Sequence, residues 1–544
     1  MAWQTADSEA LYGVPHWGRG LFQVGNEGHL HILPTGDGRT IDLHTIAADL
    51  VERGVDLPIL LRFPDVVQRR IKLLCGVFAS AIADQGYTGK HRGVYPVKVN
   101  QQRHLVEGLL ASGRPFHFGL EVGSKPELLV AMAMIDDPDA PIICNGYKDR
   151  SYIDTALMAT RLGREIIIVI EKPSELDVIL EASAASGVRP TLGVRAKLSQ
   201  PGIGRWESSA GDRAKFGLSA RDLVIMTARL REAGALDLLQ LLHFHIGSQV
   251  TAIRTFKKAF REAGRLFVEL VEMGAPLAKL DIGGGLGVDY DGSRTAYESS
   301  MNYTMREYAA DAVYAIASAC DDAEIPHPDI ITETGRATVA HCSVLLFNIL
   351  STEQKPVDGP PHEVTEDDPQ VLRDLREVYD NLNARNYQEA WHDTLDARNR
   401  AMQAFDLDLL DLTGLGRVEE LYWQTAGKVH RIAEQQSYVP DDLAKLGPSL
   451  ADIYVGNFSV FQSVPDSWAV GQLFPIMPIH RLDEEPKRRA VIADITCDSD
   501  GKIERFTNRR DIKRTLELHT PREGEPYILA IALVGAYQEI LGDL

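Results

Sequence analysis

The sequence predicts an α/β fold, a (β/α)₈ TIM-like barrel with an inserted helical bundle and a C-terminal β domain. Three observations support this prediction. Between residues 92 and 332, eight apolar, β-rich runs alternate with mostly amphipathic segments, a pattern that requires a parallel sheet. Eight units fit a closed barrel better than an open doubly wound sheet, although periodicity alone leaves the open sheet as an alternative. After residue 350 the alternation stops, which indicates further domains.

The composition limits the classes of protein to which the chain can belong. Its 544 residues exceed a single domain, and the formal net charge of -20 argues against a nucleic acid or an anionic membrane as partner. A cationic substrate would suit this charge, although solubility alone also explains it. Five scattered cysteines form neither a disulfide framework nor a zinc spacing, so we expect a cytoplasmic location. Met1–Ala10 has no secretion signal and no run approaches about 18 apolar residues, so neither secretion nor membrane spanning is expected.

The N-terminal part divides into a short β segment and the barrel. Residues 1–35 contain a predicted strand at Gly28–Pro34 and are expected to join the C-terminal β domain. Residues 36–350 form the predicted barrel, which begins with a helix over Asp65–Gln85. The predicted barrel strands are Arg92–Val99, His117–Val122, Pro141–Cys144, Glu165–Ile170, Thr191–Ala196, Leu239–Ile246, Lys279–Ile282 and Asp329–Thr332. The predicted helices between them are Lys125–Ile135, Ser151–Leu162, Ser174–Ser186, Ala220–Ala233, Ala252–Met273 and Ser300–Ala319.

The rest of the chain differs in pattern from the barrel. Residues 351–445 are the predicted helical insertion, which opens with a linker at 351–365 that is rich in proline, glycine and acidic residues. Apolar residues at helical spacing then indicate two or three helices. Residues 446–544 return to short β-like runs and form the predicted C-terminal β domain. Its predicted strands are Tyr454–Gln462, Ala490–Thr496 and Tyr527–Leu533.

The first barrel strand delivers Lys98 at its C-terminal end, an unusual place for a lysine. Burial makes an unpaired ammonium group costly, so the side chain either pairs with a carboxylate or loses its proton. A deprotonated lysine is the nucleophile that Schiff-base chemistry requires. The alternative is an ordinary snorkelling or salt-bridged lysine. Lys98 is therefore a candidate nucleophile that needs support from the other strand ends.

Polar residues collect at those other strand ends, where the chemistry of a barrel belongs. Glu121 ends the second strand, Arg195 lies on the fifth, and His243–Gln249 ends the sixth. Glycine-rich Asp281–Gly287 follows the seventh strand and Glu333–Arg336 the eighth. Glycine lets backbone N–H groups approach phosphate oxygens closely, whereas a glycine-rich turn alone would be mere chain reversal. The coincidence with an arginine at the next strand end favours a phosphate site.

Six motifs stand in series along the chain: Tyr95–Gln101, His243–Gln249, Asp281–Gly292, Glu333–Ala337, Asp494–Gly501 and Gly535–Glu539. In this order they resemble the motifs of the fold-type III pyridoxal-phosphate decarboxylases, whose barrel is alanine racemase-like. The similarity is greatest to the biosynthetic arginine decarboxylase family. It covers most of the chain, including the helical insertion, which ornithine and diaminopimelate decarboxylases lack.

The resemblance implies a role for each candidate in binding the cofactor. Lys98 would bind pyridoxal 5'-phosphate covalently, Glu333 would face the pyridine nitrogen and keep it protonated, and His245 would stack on the ring. From the residues alone, Glu333 could cap a loop and His245 could be a core histidine. Glu121 and Arg195 would form a supporting ionic network. The residues that would surround the phosphate are Ser248, Gly284, Gly285, Gly335, Arg336 and Tyr537.

The resemblance also implies a substrate site that two subunits share. Cys497 would donate a proton to the substrate carbon and Asp498 would bind the distal cationic group, both in the neighbouring subunit of a homodimer or of a higher homo-oligomer. From chemistry alone, Cys497 would be inert and Asp498 part of a turn. The other residues that would bind substrate are Asp281, Gly283, Gly284, Gly285, Gly287, Asp289 and Tyr290.

The activity that the resemblance implies is decarboxylation of L-arginine to agmatine and CO₂, the first step of polyamine synthesis. Mg²⁺ is implied by the resemblance only, because no ligand cluster in the sequence places it. Three alternatives stay open: the same chemistry on ornithine, lysine or diaminopimelate, a non-catalytic binding protein derived from a decarboxylase, and a generic phosphate-binding barrel enzyme. Relatives continue past the Gly535–Glu539 motif, whereas this sequence stops at Leu544, so we expect either a naturally short protein or a truncated sequence.

Overall fold

The computed structural model describes residues 3–199, 214–509 and 511–542, so Leu544 lies outside the described residues. Its N-terminal part forms a small antiparallel sheet of three strands, β1 to β3, and leads into a long helix. The elements of this part are α1 (Thr5–Tyr12), α2 (Val14–Trp17), β1 (Phe22–Val24), β2 (Leu30–Ile32), β3 (Ile41–Asp42), α3 (Leu43–Glu52), β4 (Ile59–Arg62) and α4 (Pro64–Gln85).

A closed barrel of eight parallel strands follows, in which each strand pairs with its neighbours in sequence and the last pairs with the first. This closure confirms the predicted barrel and excludes the open sheet. The barrel strands are β5 (His91–Pro96), β6 (Gly119–Val122), β7 (Ile142–Cys144), β8 (Ile166–Ile170), β9 (Thr191–Arg195), β10 (Leu239–His243), β11 (Lys279–Asp281) and β12 (Asp329–Glu333).

Amphipathic helices lie between the barrel strands. Side chains cap several of them, as Ser124, Asp149 and Thr304 accept hydrogen bonds from first-turn N–H groups. The phenylalanines of one long helix are buried at helical spacing, Phe256, Phe260 and Phe267. The barrel helices are α5 (Arg103–Gly113), α6 (Lys125–Met134), α7 (Arg150–Arg161), α8 (Glu175–Ser186), α9 (Ala220–Glu232), α10 (Ile253–Glu272), α11 (Met305–Asp322) and, after β12, α12 (Arg336–Val339).

A second sheet of eight strands begins directly after the barrel, with β13 (Ser343–Glu353) at its centre. A bundle with its own hydrophobic core interrupts this sheet; its helices are α13 (Gln370–Asn381), α14 (Tyr387–Asp406) and α15 (Leu412–Ala433). The elements that follow are α16 (Asp441–Ala444), α17 (Leu446–Ser449), β14 (Asp452–Gly456), α18 (Val460–Ser463), α19 (Pro465–Ala469), β15 (Ile476–Pro478), β16 (Arg488–Ala493), β17 (Lys502–Ile503), β18 (Leu516–Leu518), β19 (Tyr527–Ala532) and α20 (Gln538–Leu541).

Two boundaries differ from the sequence analysis. Residues 351–353, assigned to the linker, extend β13, because their backbone pairs with β14. The second sheet therefore begins within the range assigned to the barrel. The N-terminal strand does not pair with that sheet, because β2 pairs with β1 and β3. Two backbone hydrogen bonds join this segment to the loop after β15: Leu30 N–H donates to Ile479 O, and Leu482 N–H donates to Gly28 O. Strand β4 joins the second sheet instead, by pairing with β13.

Candidate active site

Lys98 lies in one turn of 3₁₀ helix immediately after β5, at the rim of a cavity of about 760 Å³. Its Nζ donates to Oε2 of Glu121 at 3.0 Å, and its side chain is 49% exposed because it borders the cavity. Burial by itself lowers the pKa of Lys98, but the carboxylates of Glu121 and Glu333 raise it overall. Of the two states predicted for this lysine, the structure shows the paired and charged one.

The cavity opens at the C-terminal ends of the barrel strands, as expected for this architecture. It brings together five of the predicted residues, Lys98, Glu121, Arg195, His245 and Glu333. Glu121 and Arg195 each belong to an ion pair at this cavity, and their supporting role toward the cofactor stays a prediction. Glu121 binds Lys98, whereas Arg195 Nη1 lies 3.4 Å from Oε1 of Glu171, which also accepts the Gly146 N–H.

Glu333 ends β12 as a buried carboxyl with buried titratable neighbours. Asn145 Nδ2 donates to Oε1 of Glu333 at 2.6 Å and to Oε1 of Glu121 at 3.1 Å. Burial, then the nearby Asp281 carboxyl, raises the pKa of Glu333 well above its usual range. Burial also raises the pKa of Asp281 to about 7 and lowers that of His243, whose Nδ1 lies 3.1 Å from Oδ2 of Asp281. Burial and the neighbouring carboxyl group therefore both favour the protonated form of Glu333.

His245 lies between Lys98 and the glycine-rich loop. Its Nδ1 accepts the Gly247 N–H at 2.9 Å, so the proton of the neutral ring lies on Nε2. Burial, then the charges of Arg195 and Lys98, lowers the pKa of His245 well below its usual range. His245 therefore presents an uncharged ring at neutral pH.

A smaller void of about 40 Å³ adjoins the cavity, because Lys98, His245 and Glu333 border both. The backbone loops around it are closely packed: a Cβ at Gly284 would lie 2.8 Å from Glu333 O, and one at Gly335 would lie 2.5 Å from Cγ2 of Val99. Each position therefore requires glycine. The predicted phosphate residues border this void: Ser248, Gly284, Gly285, Gly335, Arg336 and Tyr537.

Arg336 is the cation of this void. Its Nη1 donates to the Tyr290 hydroxyl at 3.0 Å, its Nη2 lies 3.5 Å from Oγ of Ser248, and its guanidinium lies 4.8 Å from the Tyr537 ring centroid. Its Nε is buried and has no hydrogen-bond partner among the residues that the structure describes, which is costly for a charged donor. A guanidinium with an unused donor beside closely packed glycine loops fits a phosphate group.

Other predicted substrate residues lie outside the cavity. Asp281 is fully buried behind Glu333, and Asp289 pairs with Arg19 at a separate cavity that Gly287 also lines. Cys497 and Asp498 are exposed in the turn after β16. One chain therefore provides the cofactor half of the predicted site, and the substrate roles of these residues stay predictions.

The structure adds three residues that the sequence analysis did not select, Asn145, Glu171 and His243. Each lines the cavity and contacts a predicted residue or its partner. Asn145 and Glu171 come directly after β7 and β8, the position that Glu121 and Glu333 occupy at the ends of their own strands. Asn145 and Glu171 could have been found from the sequence by considering the residue after every predicted barrel strand, including strands whose ends match no motif.

Comparisons with known proteins agree with this geometry. A family model described as the pyridoxal binding domain of pyridoxal-dependent decarboxylases matches residues 77–340, and an arginine decarboxylase helical bundle model matches residues 365–447. The chain is 51% identical to the biosynthetic arginine decarboxylase of Thermosynechococcus vestitus and 50% identical to that of Nostoc sp., over 100% of this chain and 85% and 80% of theirs. It resembles the crystal structure of the Campylobacter jejuni biosynthetic arginine decarboxylase with a TM-score of 0.85 and 35% identity, over 98% of this chain and 85% of that one.

Proposed function

Because the chain belongs to the biosynthetic arginine decarboxylase family, we propose that it converts L-arginine to agmatine and CO₂ with pyridoxal phosphate as cofactor. This reaction is the first step of a route to putrescine and spermidine. The observation that carries the proposal is that Lys98, Glu333 and the Arg336 void lie side by side at the C-terminal ends of the barrel strands. A covalent anchor, a carboxyl group for the ring nitrogen and a phosphate site are the three contacts that this cofactor needs.

The residues present fit the cofactor. Lys98 would hold it, Arg336 and the adjacent glycines would bind its phosphate, and the uncharged His245 ring would lie against it. When bound, pyridoxal phosphate supplies the electron sink that allows the carboxyl group of an amino acid to leave as CO₂. Glu333 has a raised pKa, so its carboxyl group is suited to share a proton with a basic ring nitrogen. Asn145 fixes Glu333 and Glu121 in one orientation.

The substrate half of the site comes from a second subunit in this proposal. Cys497 would donate the proton that replaces the carboxyl group, and Asp498 would bind the guanidinium group of arginine. Their exposure in a turn outside the cavity of their own chain supports this assignment. The protein would then act as a homodimer, because each site needs one barrel and one turn from different chains.

The remaining questions are whether the protein binds magnesium and where in the cell it is located. In the described ranges, each of the three groups of His, Cys, Asp and Glu side chains close enough to share an ion contains a histidine. Magnesium prefers oxygen ligands, so these groups do not fit it and no step is assigned to it.

No helix in the described part of the chain has the length and apolar composition to cross a membrane. We place the protein in the cytoplasm, which its five free cysteines support.

The proposal is tested by product analysis after incubation of the purified protein with L-arginine and pyridoxal phosphate. Ornithine, lysine and diaminopimelate are assayed in parallel, each by CO₂ release and amine chromatography. We expect agmatine and CO₂ in equal amounts from arginine, with much slower release from the other three. Faster turnover of one of those would reassign the substrate, and no CO₂ from any of the four would favour a non-catalytic binding protein.

A further inference from the structure

A second space, open to solvent on one side, lies on the outer side of the glycine-rich loop, between α4 and the N-terminal end of α11. Its volume is about 270 Å³, several times the roughly 30 Å³ that one water molecule occupies. The loop residues Leu286–Asp289 form one wall. Among the described residues, none lines both this space and the Lys98 cavity, and only Leu286 lines both this space and the Arg336 void.

The charges around this space are unbalanced. Three arginines line it, Arg19, Arg70 and Arg306, against one carboxylate, Asp289. Arg19 is neutralised, because its Nη2 lies 2.7 Å from Oδ2 of Asp289. Neither Arg70 nor Arg306 forms an ion pair with any residue in the described ranges. The charges of half-buried Arg70 and exposed Arg306 therefore have no counter-ion among the described residues.

Of these two arginines, Arg70 has the surroundings that are less favourable for an unpaired charge. Its Nε donates to the Ala337 carbonyl oxygen at 2.8 Å, and no described residue accepts from its two Nη atoms. Burial, then the charges of Arg19 and Arg69, lowers the pKa of Arg70 to about 10. An enclosed guanidinium without a counter-ion destabilises a fold, so such groups are normally paired.

His341 adds a second, independent observation. It lines the same space and is only 3% exposed, and its buried Nδ1 has no hydrogen-bond partner in the described part of the chain. Burial, then the charges of Arg70 and Arg19, lowers the pKa of His341 well below its usual range, so its ring is uncharged. A neutral imidazole can offer one N–H donor to an anion without adding charge.

We propose that this space is a binding site for a small anion that carries a phosphate group, separate from the cofactor phosphate site. The guanidinium groups of Arg70 and Arg306, which have no counter-ion in the described ranges, match the charge of about -2 that a phosphate monoester carries, and their N–H forks suit its oxygens. Thr304–Arg306, at the positive end of α11, contributes to the same wall. A carboxylate would bind the same groups, but it supplies only one negative charge.

The proposed anion site lies next to the chain segments that form the cofactor phosphate void. Leu286 lines both spaces, and Arg70 holds the carbonyl of Ala337, the residue after Arg336. An anion between Arg70 and Arg306 would therefore stabilise the loop and the short helix that position Arg336. This inference concerns binding alone and does not depend on which amino acid the enzyme decarboxylates.

The test is calorimetric titration of the cofactor-loaded protein with inorganic phosphate at constant ionic strength, with chloride and acetate as comparison anions. Because the cofactor fills its own site, we expect one additional phosphate per chain and clearly weaker binding of acetate. Arg70→Met removes charge-assisted hydrogen bonds and should weaken phosphate binding at least about tenfold. Lys72→Met, an exposed change on the same helix, is the matched control and should bind as wild type.

Arg306→Met provides a second variant in case Arg70→Met does not fold, since Arg306 is exposed at the rim. Its loss should weaken phosphate binding about threefold or more. Absence of saturable phosphate binding to wild type would overturn the proposal. So would unchanged affinity in both arginine variants, and equal affinity for acetate would overturn the assignment to phosphate.

Discussion

The barrel end and the turn after β16 are predicted to serve the same reaction, but they differ in how fully the fold prepares them. At the barrel end, Glu333 is 3% and Arg336 6% exposed, and each is held by named partners. Cys497 and Asp498 are exposed in a turn. Burial forces polar groups to pair within the chain, whereas exposed groups stay available for a partner. This difference supports the proposal that the turn acts in the site of a second subunit.

The largest effect is expected at the barrel end, from Lys98→Ala. Without the amine that anchors the cofactor, the purified protein should lose its yellow colour and its turnover should fall by several orders of magnitude. Absorbance spectra and CO₂ release measure the two effects. Lys215→Ala, which alters another lysine of the same cavity, is the control and should stay yellow. A colourless wild type after addition of cofactor would contradict the cofactor assignment.

The next effect is expected from Glu333→Gln. The amide keeps the shape of the side chain but cannot share a proton in the same way, so turnover should fall by roughly a hundredfold or more. Absorbance intensity should change little, because Lys98 and the Arg336 void are untouched. Full activity of this variant would show that another group protonates the ring.

Mixing two inactive variants, Lys98→Ala and Asp498→Ala, tests whether the barrel end and the turn after β16 come from different subunits. If each site combines one barrel with the turn of the other subunit, heterodimers carry one intact site. Random exchange makes about half of the dimers heterodimers, so roughly a quarter of all sites should work. Assays of CO₂ release before and after exchange measure this fraction, and co-purification of two tags verifies the exchange.

A matched mixture serves as the control for that experiment. Lys98→Ala mixed with Glu333→Gln places both lesions in barrel ends, so every site keeps one lesion and activity should not recover. Activity that stays absent in the first mixture, after confirmed exchange, would mean that each site is built within one chain. Cys497 and Asp498 would then need another role.

The smallest effect is on stability and concerns Asp281. Its folded pKa is about 7, above the usual value of 3.8, so the folded protein binds more protons than the unfolded chain between these pH values. The free energy of unfolding of the cofactor-free protein should therefore fall as the pH rises from about 4 to 7, by at most about 1.4 kcal/mol per pH unit from this group. Asp281→Asn should remove this part of the slope in urea titrations, whereas the exposed Asp498→Asn should leave it unchanged.

The sequence predicted the barrel well because its strands are adjacent in sequence and each repeats one pattern. It placed Lys98, His245 and Glu333 correctly at one edge, since parallel strands end on the same side. It missed Asn145 and His243 because an isolated polar residue at a buried strand end is indistinguishable from a satisfied core residue. No local pattern shows that Asp281 supports Glu333 from behind, because that contact depends on the pairing of β11 with β12.

Sequence pattern also failed where pairing is non-local. Strand β4 looks like part of the barrel region, yet its partner β13 is nearly three hundred residues away. The sequence also did not show that Asp289, which follows the glycine-rich loop, lies outside the Lys98 cavity. Its partner Arg19 comes from the N-terminal segment, 270 positions earlier.

The central position of β13 determines the order in which the protein can form during synthesis. The barrel can close once β12 has emerged, whereas the second sheet needs β4, β13 and β19 together. At about 5–20 residues per second, Tyr527–Ala532 leaves the ribosome roughly 10–40 s after Ser343–Glu353. Throughout that interval the edge of β13 that later pairs with β19, at Val344–Ile349, has no partner, and such a strand edge is a template for wrong pairing between nascent chains. We therefore expect conditions that protect this edge to raise the yield of folded protein.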